Sequence, residues 1–121
     1  MMKDPKPEEL ARYRHDLEVV RDTAAQVIKD FGLFNIEIRF SGNEETAYDE
    51  LKSQLYPELL SLYENNYSRL QSLFYRIDLS EKKFRALPSG NKNEMINGLT
   101  ELVLERELVK VITRKLFSQK K

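Results

Sequence analysis

Residues 34–40 read Phe-Asn-Ile-Glu-Ile-Arg-Phe, the one stretch of the chain that does not fit a helical pattern. Phe34, Ile36, Ile38 and Phe40 alternate with Asn35, Glu37 and Arg39, the period-two signature of a strand with one face buried. A strand must pair its backbone donors and acceptors, and the remainder of the sequence reads as helix. The pattern therefore demands either a second strand in the same chain or a strand from another chain. Residues 73–79 offer the first solution, because Leu73, Tyr75, Ile77 and Leu79 also alternate. The preferred solution is the second: antiparallel pairing across the twofold axis of a homodimer.

With 121 residues the chain is long enough for one core, so a single domain over 1–121 is expected. Its expected loose parts are an N-terminus at 1–7, a loop at 88–92 and a tail at 118–121. A charged fraction of 33% beside 40% hydrophobic residues fits a globular protein and excludes a disordered one. No apolar run approaches the roughly 20 residues that span a bilayer. The N-terminal residues also lack the apolar centre of a signal peptide, so no membrane association and a cytoplasmic location are expected. The absence of cysteine removes disulfides, thiolate metal ligands and thiol nucleophiles together. Net charge is zero but uneven: residues 34–64 hold seven acids against Arg39 and Lys52, and residues 65–92 hold six bases against Asp78 and Glu81. Such segments can neutralise each other inside a fold or form a surface for nucleic acid.

Helix signals follow in order. Asp4-Pro5 can cap and open a first helix whose stripe is Leu10, Tyr13, Leu17, Val20, Ala24, Val27 and Phe31, ended by Gly32. That seam suits a bundle helix and could also pair as a coiled coil. His15 lies off the stripe and is expected in solvent. Ser41 or Asn43 can cap a second helix carrying Ala47, Tyr48, Leu51 and Leu55, and Pro57 predicts a break near Tyr56. A third helix then follows through Leu59, Tyr63, Leu70, Leu73, Phe74 and Ile77. Ser80 caps a short helix to Leu87, with Leu79 and Phe84 as its hydrophobic staple. Beyond the loop at Pro88 to Asn91, Asn91 caps a last helix that runs to about Phe117.

That last helix is apolar on two sides. Met95, Leu99, Leu102, Val109 and Phe117 share one, and Leu104, Leu108, Val111 and Ile112 share the other. A small chain has difficulty surrounding such a helix, which is a second indication of a dimer. The expected interface is thus Phe34, Ile36, Ile38 and Phe40 with Leu104, Leu108, Val111 and Ile112. Arg106 projects between Leu102 and Val109 and must meet carboxylates or carbonyls. Its partner is expected among the acids of 44–58, or else it lines a pocket for an anion, with Tyr63 and Tyr67 as hydroxyl donors.

Catalytic patterns are sparse. With one histidine and no cysteine there is no Ser-His-acid or Cys-His arrangement, and no Glu-x-x-His pair for a di-metal centre. Glu44, Glu45, Asp49 and Glu50 could approach a cation, but they equally form the acidic first turn and wet face of a helix. Neither glycine-rich phosphate loop occurs. No cofactor, metal or enzymatic activity is expected. Tyr75, Arg76, Lys82, Lys83 and Arg85 mix aromatic and basic groups at a helix junction, a capped helix start that could also contact phosphate.

The sequence therefore predicts a mainly α, bundle-like domain of four to five helices with one short β-strand, acting as a homodimeric protein-interaction or scaffold module. Two alternatives remain open. One is regulatory nucleic-acid binding through the basic residues of 69–92 and the C-terminal tail. The other is a small anionic-ligand domain centred on Arg106, with Tyr63, Tyr67, Tyr75 and Arg76 as candidates.

Overall fold

The computed structural model describes residues 5–119. They form α1 Pro7–Tyr13, α2 Leu17–Gly32, α3 Ala47–Asn65, α4 Tyr67–Ile77, α5 Glu81–Arg85 and α6 Lys92–Gln119, with a 3₁₀ turn, Glu44–Thr46, leading into α3. The described residues contain no strand, so the expectation of a β-strand at 34–40 paired across a dimer axis is overturned. The rival strand at 73–79 fails too, since Leu73 to Ile77 belong to α4.

What the alternation at 34–40 encodes is an extended segment laid on helices. Leu33 to Asn35 form a turn, with Asn35 at φ 60°, a left-handed conformation that asparagine tolerates better than most residues. From Ile36 the chain is extended: Ile38 is buried, Phe34, Ile36 and Phe40 are half-buried, and Asn35, Glu37 and Arg39 are exposed. No strand lies alongside; helix side chains bond to the main chain instead. Gln54 of α3 accepts from the Arg39 N–H at 2.8 Å through Oε1 and donates to the Arg39 carbonyl at 2.7 Å through Nε2. A carboxamide thus presents one acceptor and one donor, as a neighbouring peptide group would. Glu50 Oε1 accepts from the Ser41 N–H at 2.9 Å, and the Arg69 guanidinium of α4 donates to the Phe34 carbonyl at 2.6 Å.

The long first helix is broken in two. Arg14 to Asp16 interrupt it, and Asp16 Oδ1 caps α2 by accepting from the Val19 N–H at 3.1 Å. The apolar stripe crosses the break, with Tyr13, Val20, Ala24, Val27 and Phe31 buried. Asp4, expected as the cap, lies outside the described residues, as do Lys120 and Lys121 of the tail.

The break expected at Tyr56 does not occur. α3 passes through Pro57, although an interior proline costs about 3 kcal/mol by removing one hydrogen bond. Two features offset this. Pro57 and Ser53 are exposed, so the carbonyl deprived of its donor faces water, and Leu51, Leu55, Leu59 and Leu62 form one buried row in phase across the proline. The chain turns at Asn66 instead, whose Oδ1 accepts from the Arg69 N–H at 3.3 Å to cap α4.

Leu104, Leu108, Val111 and Ile112 on one apolar side of α6 are buried by this chain, as is Leu99 on the other, where Met95, Leu102 and Val109 are half-buried and Phe117 is 51% exposed. Along its N-terminal half Ile96, Leu99 and Val103 join the main core with Leu51, Leu55 and Leu59. Along its C-terminal half the buried row has moved round the helix to Leu108, Val111 and Ile112, which form a second cluster with Tyr13 and Val19. α6 runs antiparallel to α3, as shown by Lys52–Glu101 at 2.5 Å and Tyr56–Asn93 at 2.8 Å. It also runs antiparallel to α2, where Lys115 lies 3.6 Å from Glu18 and Lys110 lies 2.8 Å from Asp30. α6 is thus a central helix with different neighbours at its two ends. Among the described residues, no helix is long and apolar enough to cross a membrane.

Candidate binding groove and a buried acid pair

Two local signals build a groove at one end of the helices. Ser80 Oγ accepts from the Lys82 N–H at 3.2 Å and starts α5, and Asn91 Oδ1 accepts from the Glu94 N–H at 3.2 Å in the first turn of α6. Leu79 and Phe84 are both buried, as the staple requires. The turn between α5 and α6 is pinned by Leu87, whose side chain lies where Gly98 has no Cβ; an ideal Cβ there would stand 3.2 Å from it. Together these place Tyr63, Tyr67, Phe84, Arg85, Leu87, Ser89 and Met95 around an open groove of about 690 Å³.

Aromatic rings form its floor. Tyr63 meets Tyr67 edge-on at 6.0 Å and Phe84 edge-on at 5.9 Å, and Phe84 continues to Phe74 at 5.6 Å. Such edge-to-face arrangements align the positive ring edge with a neighbouring negative face. The rim carries paired charges of both signs. Glu81 Oε2 accepts from the Tyr67 hydroxyl at 2.8 Å, from Arg85 at 3.1 Å and from Gln71 at 3.3 Å. The tyrosine hydrogen bond is the main influence holding the Glu81 carboxyl below the usual glutamate range. Burial, then the same hydrogen bond, pushes the Tyr67 phenol up. Lys92 pairs with Glu64, which raises the ammonium pKa.

The second polar feature lies where α2, α4 and α6 meet. Asp30 is 1% exposed and Glu107 is 0% exposed. Lys110 Nζ stands 2.8 Å from Asp30 Oδ2 and 2.9 Å from Glu107 Oε1. Gln26 Nε2 donates to Asp30 Oδ2 at 3.0 Å, and Arg76 Nε lies 3.5 Å from Asp30 Oδ1. Burial acts against the Asp30 charge, but hydrogen bonds from Glu107, Lys110 and Gln26 hold its pKa below the ordinary value. For Glu107 burial dominates, followed by its hydrogen bond with Asp30, and the carboxyl is pushed up to about 8 despite Lys110.

The sequence-derived candidates divide between these places. Tyr63 and Tyr67 come together in the groove, which Arg106 does not line. Instead Arg106 Nε donates to the Ile77 carbonyl at 3.1 Å and Nη2 donates to Asp78 Oδ2 at 3.2 Å, satisfying the C-terminal end of α4. Asp78, an acid outside 44–58, is thus one of its partners. Arg76 approaches Asp30, and Tyr75 is 90% exposed. Of the interface candidates, Ile38, Leu104, Leu108, Val111 and Ile112 are buried within this chain, and Phe34, Ile36 and Phe40 pack against its main core. Glu50 of the acidic set is occupied by Ser41 and by Thr46 at 2.5 Å, and Glu44 lies 3.5 Å from Arg21. Among the described residues no group of three or more His, Cys, Asp or Glu side chains is placed to hold a metal ion. His15 is exposed in the break before α2.

Asp30 and Glu107 did not emerge from the sequence reading, although a signal exists. Thr23, Gln26 and Asp30 share one edge of the α2 stripe, and Glu107 falls four residues after Val103 and four before Val111 on the buried side of α6. Charged groups at core spacing need a partner on the facing helix. Compared with known proteins, the chain matches no protein-family model, no curated protein sequence and no solved structure.

Proposed function

We propose that this chain is a non-enzymatic protein-interaction domain whose groove receives a short peptide segment of a partner, anchored by one aromatic or large aliphatic side chain. The observation that carries this reading is the groove's composition. Tyr63, Tyr67, Phe84, Leu87 and Met95 converge on one open depression, with the ion pairs Glu64–Lys92 and Glu81–Arg85 at its rim. Peptide sites concentrate affinity in a few aromatic or apolar anchors and use surrounding polar groups for orientation. The volume of about 690 Å³ suits a side chain and its neighbours.

Selection from a displayed random-peptide library tests this directly. The expected outcome is enrichment of peptides with a single aromatic or leucine anchor, whose affinity falls at least about tenfold for Met95→Glu, a change in the groove wall. Failure to enrich any such sequence, or peptides that bind Met95→Glu equally well, would sink the proposal. Circular dichroism of the variant checks that the helices persist.

A further inference from the structure

Two carboxyl groups are buried against each other between α2 and α6, and their hydrogen bonds are incomplete in a matched way. Asp30 Oδ2 receives Lys110 and Gln26, and Glu107 Oε1 receives Lys110. The other oxygens, Asp30 Oδ1 and Glu107 Oε2, are both buried without a hydrogen-bond partner. Arg76 Nε stands 3.5 Å from Asp30 Oδ1 as an ion pair, and leaving two buried carboxylate oxygens without a hydrogen bond is still costly. One proton resolves both deficits at once, because it turns one carboxyl into a donor and leaves the other as its acceptor.

The charge balance agrees. The groups facing Glu107 are Asp30 from α2 and Lys110 from its own helix, and Arg76 of α4 reaches only the Asp30 side, with its side chain 46% exposed. Two ionised carboxylates would stand against one part-buried ammonium, the remaining cation being the half-exposed Arg76 guanidinium 3.5 Å from Asp30 Oδ1. With one proton the pair carries a single negative charge, which Lys110 neutralises. A metal cation is a poor substitute, since Lys110 already stands against both carboxyls and would repel it.

We propose that Asp30 and Glu107 hold one proton between them, carried on Glu107, and that this shared proton is a pH-sensitive clasp fastening α2 to α6. Glu107 lies between Val103 and Leu104 of the main core and Leu108 and Val111 of the second cluster. Its ionisation therefore places a second negative charge where the two apolar clusters adjoin, and the α2–α6 contact loosens. The direction of the pH dependence follows. Glu107 has a folded pKa of about 8 against an ordinary value of 4.5, so the folded state holds a proton that the unfolded state has lost between those values. Stability consequently declines as pH rises through that window and levels off above it. Asp30 acts oppositely at the acid end: its pKa is lowered from 3.8, so its contribution is lost as pH falls through the folded pKa.

Urea unfolding of the intact protein from about pH 6 to about pH 9, in wild type and Glu107→Gln, tests the clasp. The unfolding constant of wild type should rise with pH, by at most about tenfold per unit for a single proton. Glu107→Gln keeps an N–H donor but cannot ionise, so its profile should be flatter and should cross above wild type at the alkaline end. Equal pH slopes in the two proteins overturn the proposal. If Glu107→Gln does not fold, infrared spectroscopy of wild type decides. A protonated-carboxyl band at neutral pH that fades on alkalinisation supports the clasp, and its absence removes it, because exposed carboxyls are already ionised there.

Discussion

Helix α6 and the connector 34–41, a turn followed by extended chain, satisfy their backbones in opposite ways. α6 pairs its own N–H and C=O groups along 28 residues and leaves its side chains to bury surface. The connector has no such ladder. Arg39 relies on Gln54, Ser41 on Glu50 and Phe34 on Arg69, so its course is fixed by a few separable contacts. One region is held by area, the other by named bonds plus the burial of Ile38. Losing one methylene should therefore matter most in α6, and losing one polar side chain should matter most beneath the segment.

Graded substitutions can break or sharpen that contrast. The largest loss is expected for Ile112→Ala, at a site 0% exposed on the second cluster; urea unfolding should show a decrease of about 2–4 kcal/mol. Ile38→Ala, at a site 3% exposed, should cost slightly less, about 2 kcal/mol, because the residue is carried on a connector that can shift toward the helices and not on a helix. If Ile38→Ala is silent, the segment is not a working part of the core. Gln54→Ala should cost about 1–2 kcal/mol, since it removes two main-chain bonds whose groups can be rewetted. Amide exchange at Arg39 should accelerate in that variant while exchange within α6 is unchanged; equal acceleration in both would erase the distinction.

How much could be read beforehand follows the same division. Local signals translated well. Ser80 and Asn91 cap the expected helices, Leu79 and Phe84 are buried together, and the alternation of 34–40 reports which side chains point inward. Non-local completion did not translate. Nothing at Arg39 announces that a glutamine 15 residues later will imitate a peptide group. Pro57 predicts a break by propensity alone, and the leucine row that continues through it holds the helix together. The buried row of α6 drifts round the helix, and a drift looks like two faces when the neighbours are unknown. Of the groove, Tyr63 and Tyr67 were proposed as a pair, but Arg106 was assigned to them and belongs to α4's end. Asp30 and Glu107 are spaced for the core, but nothing in their local sequence pairs one with the other.

Gln54 also bears on the order of events during folding. Its carboxamide, with Glu50, can meet the main chain of 39–41 only after α3 exists to present both from one helical face. The connector should therefore be captured late, after the transition state, although it precedes α3 in the chain. Stopped-flow measurements on Gln54→Ala should then show faster unfolding with folding almost unaltered, whereas slowed folding would place the connector in the nucleus.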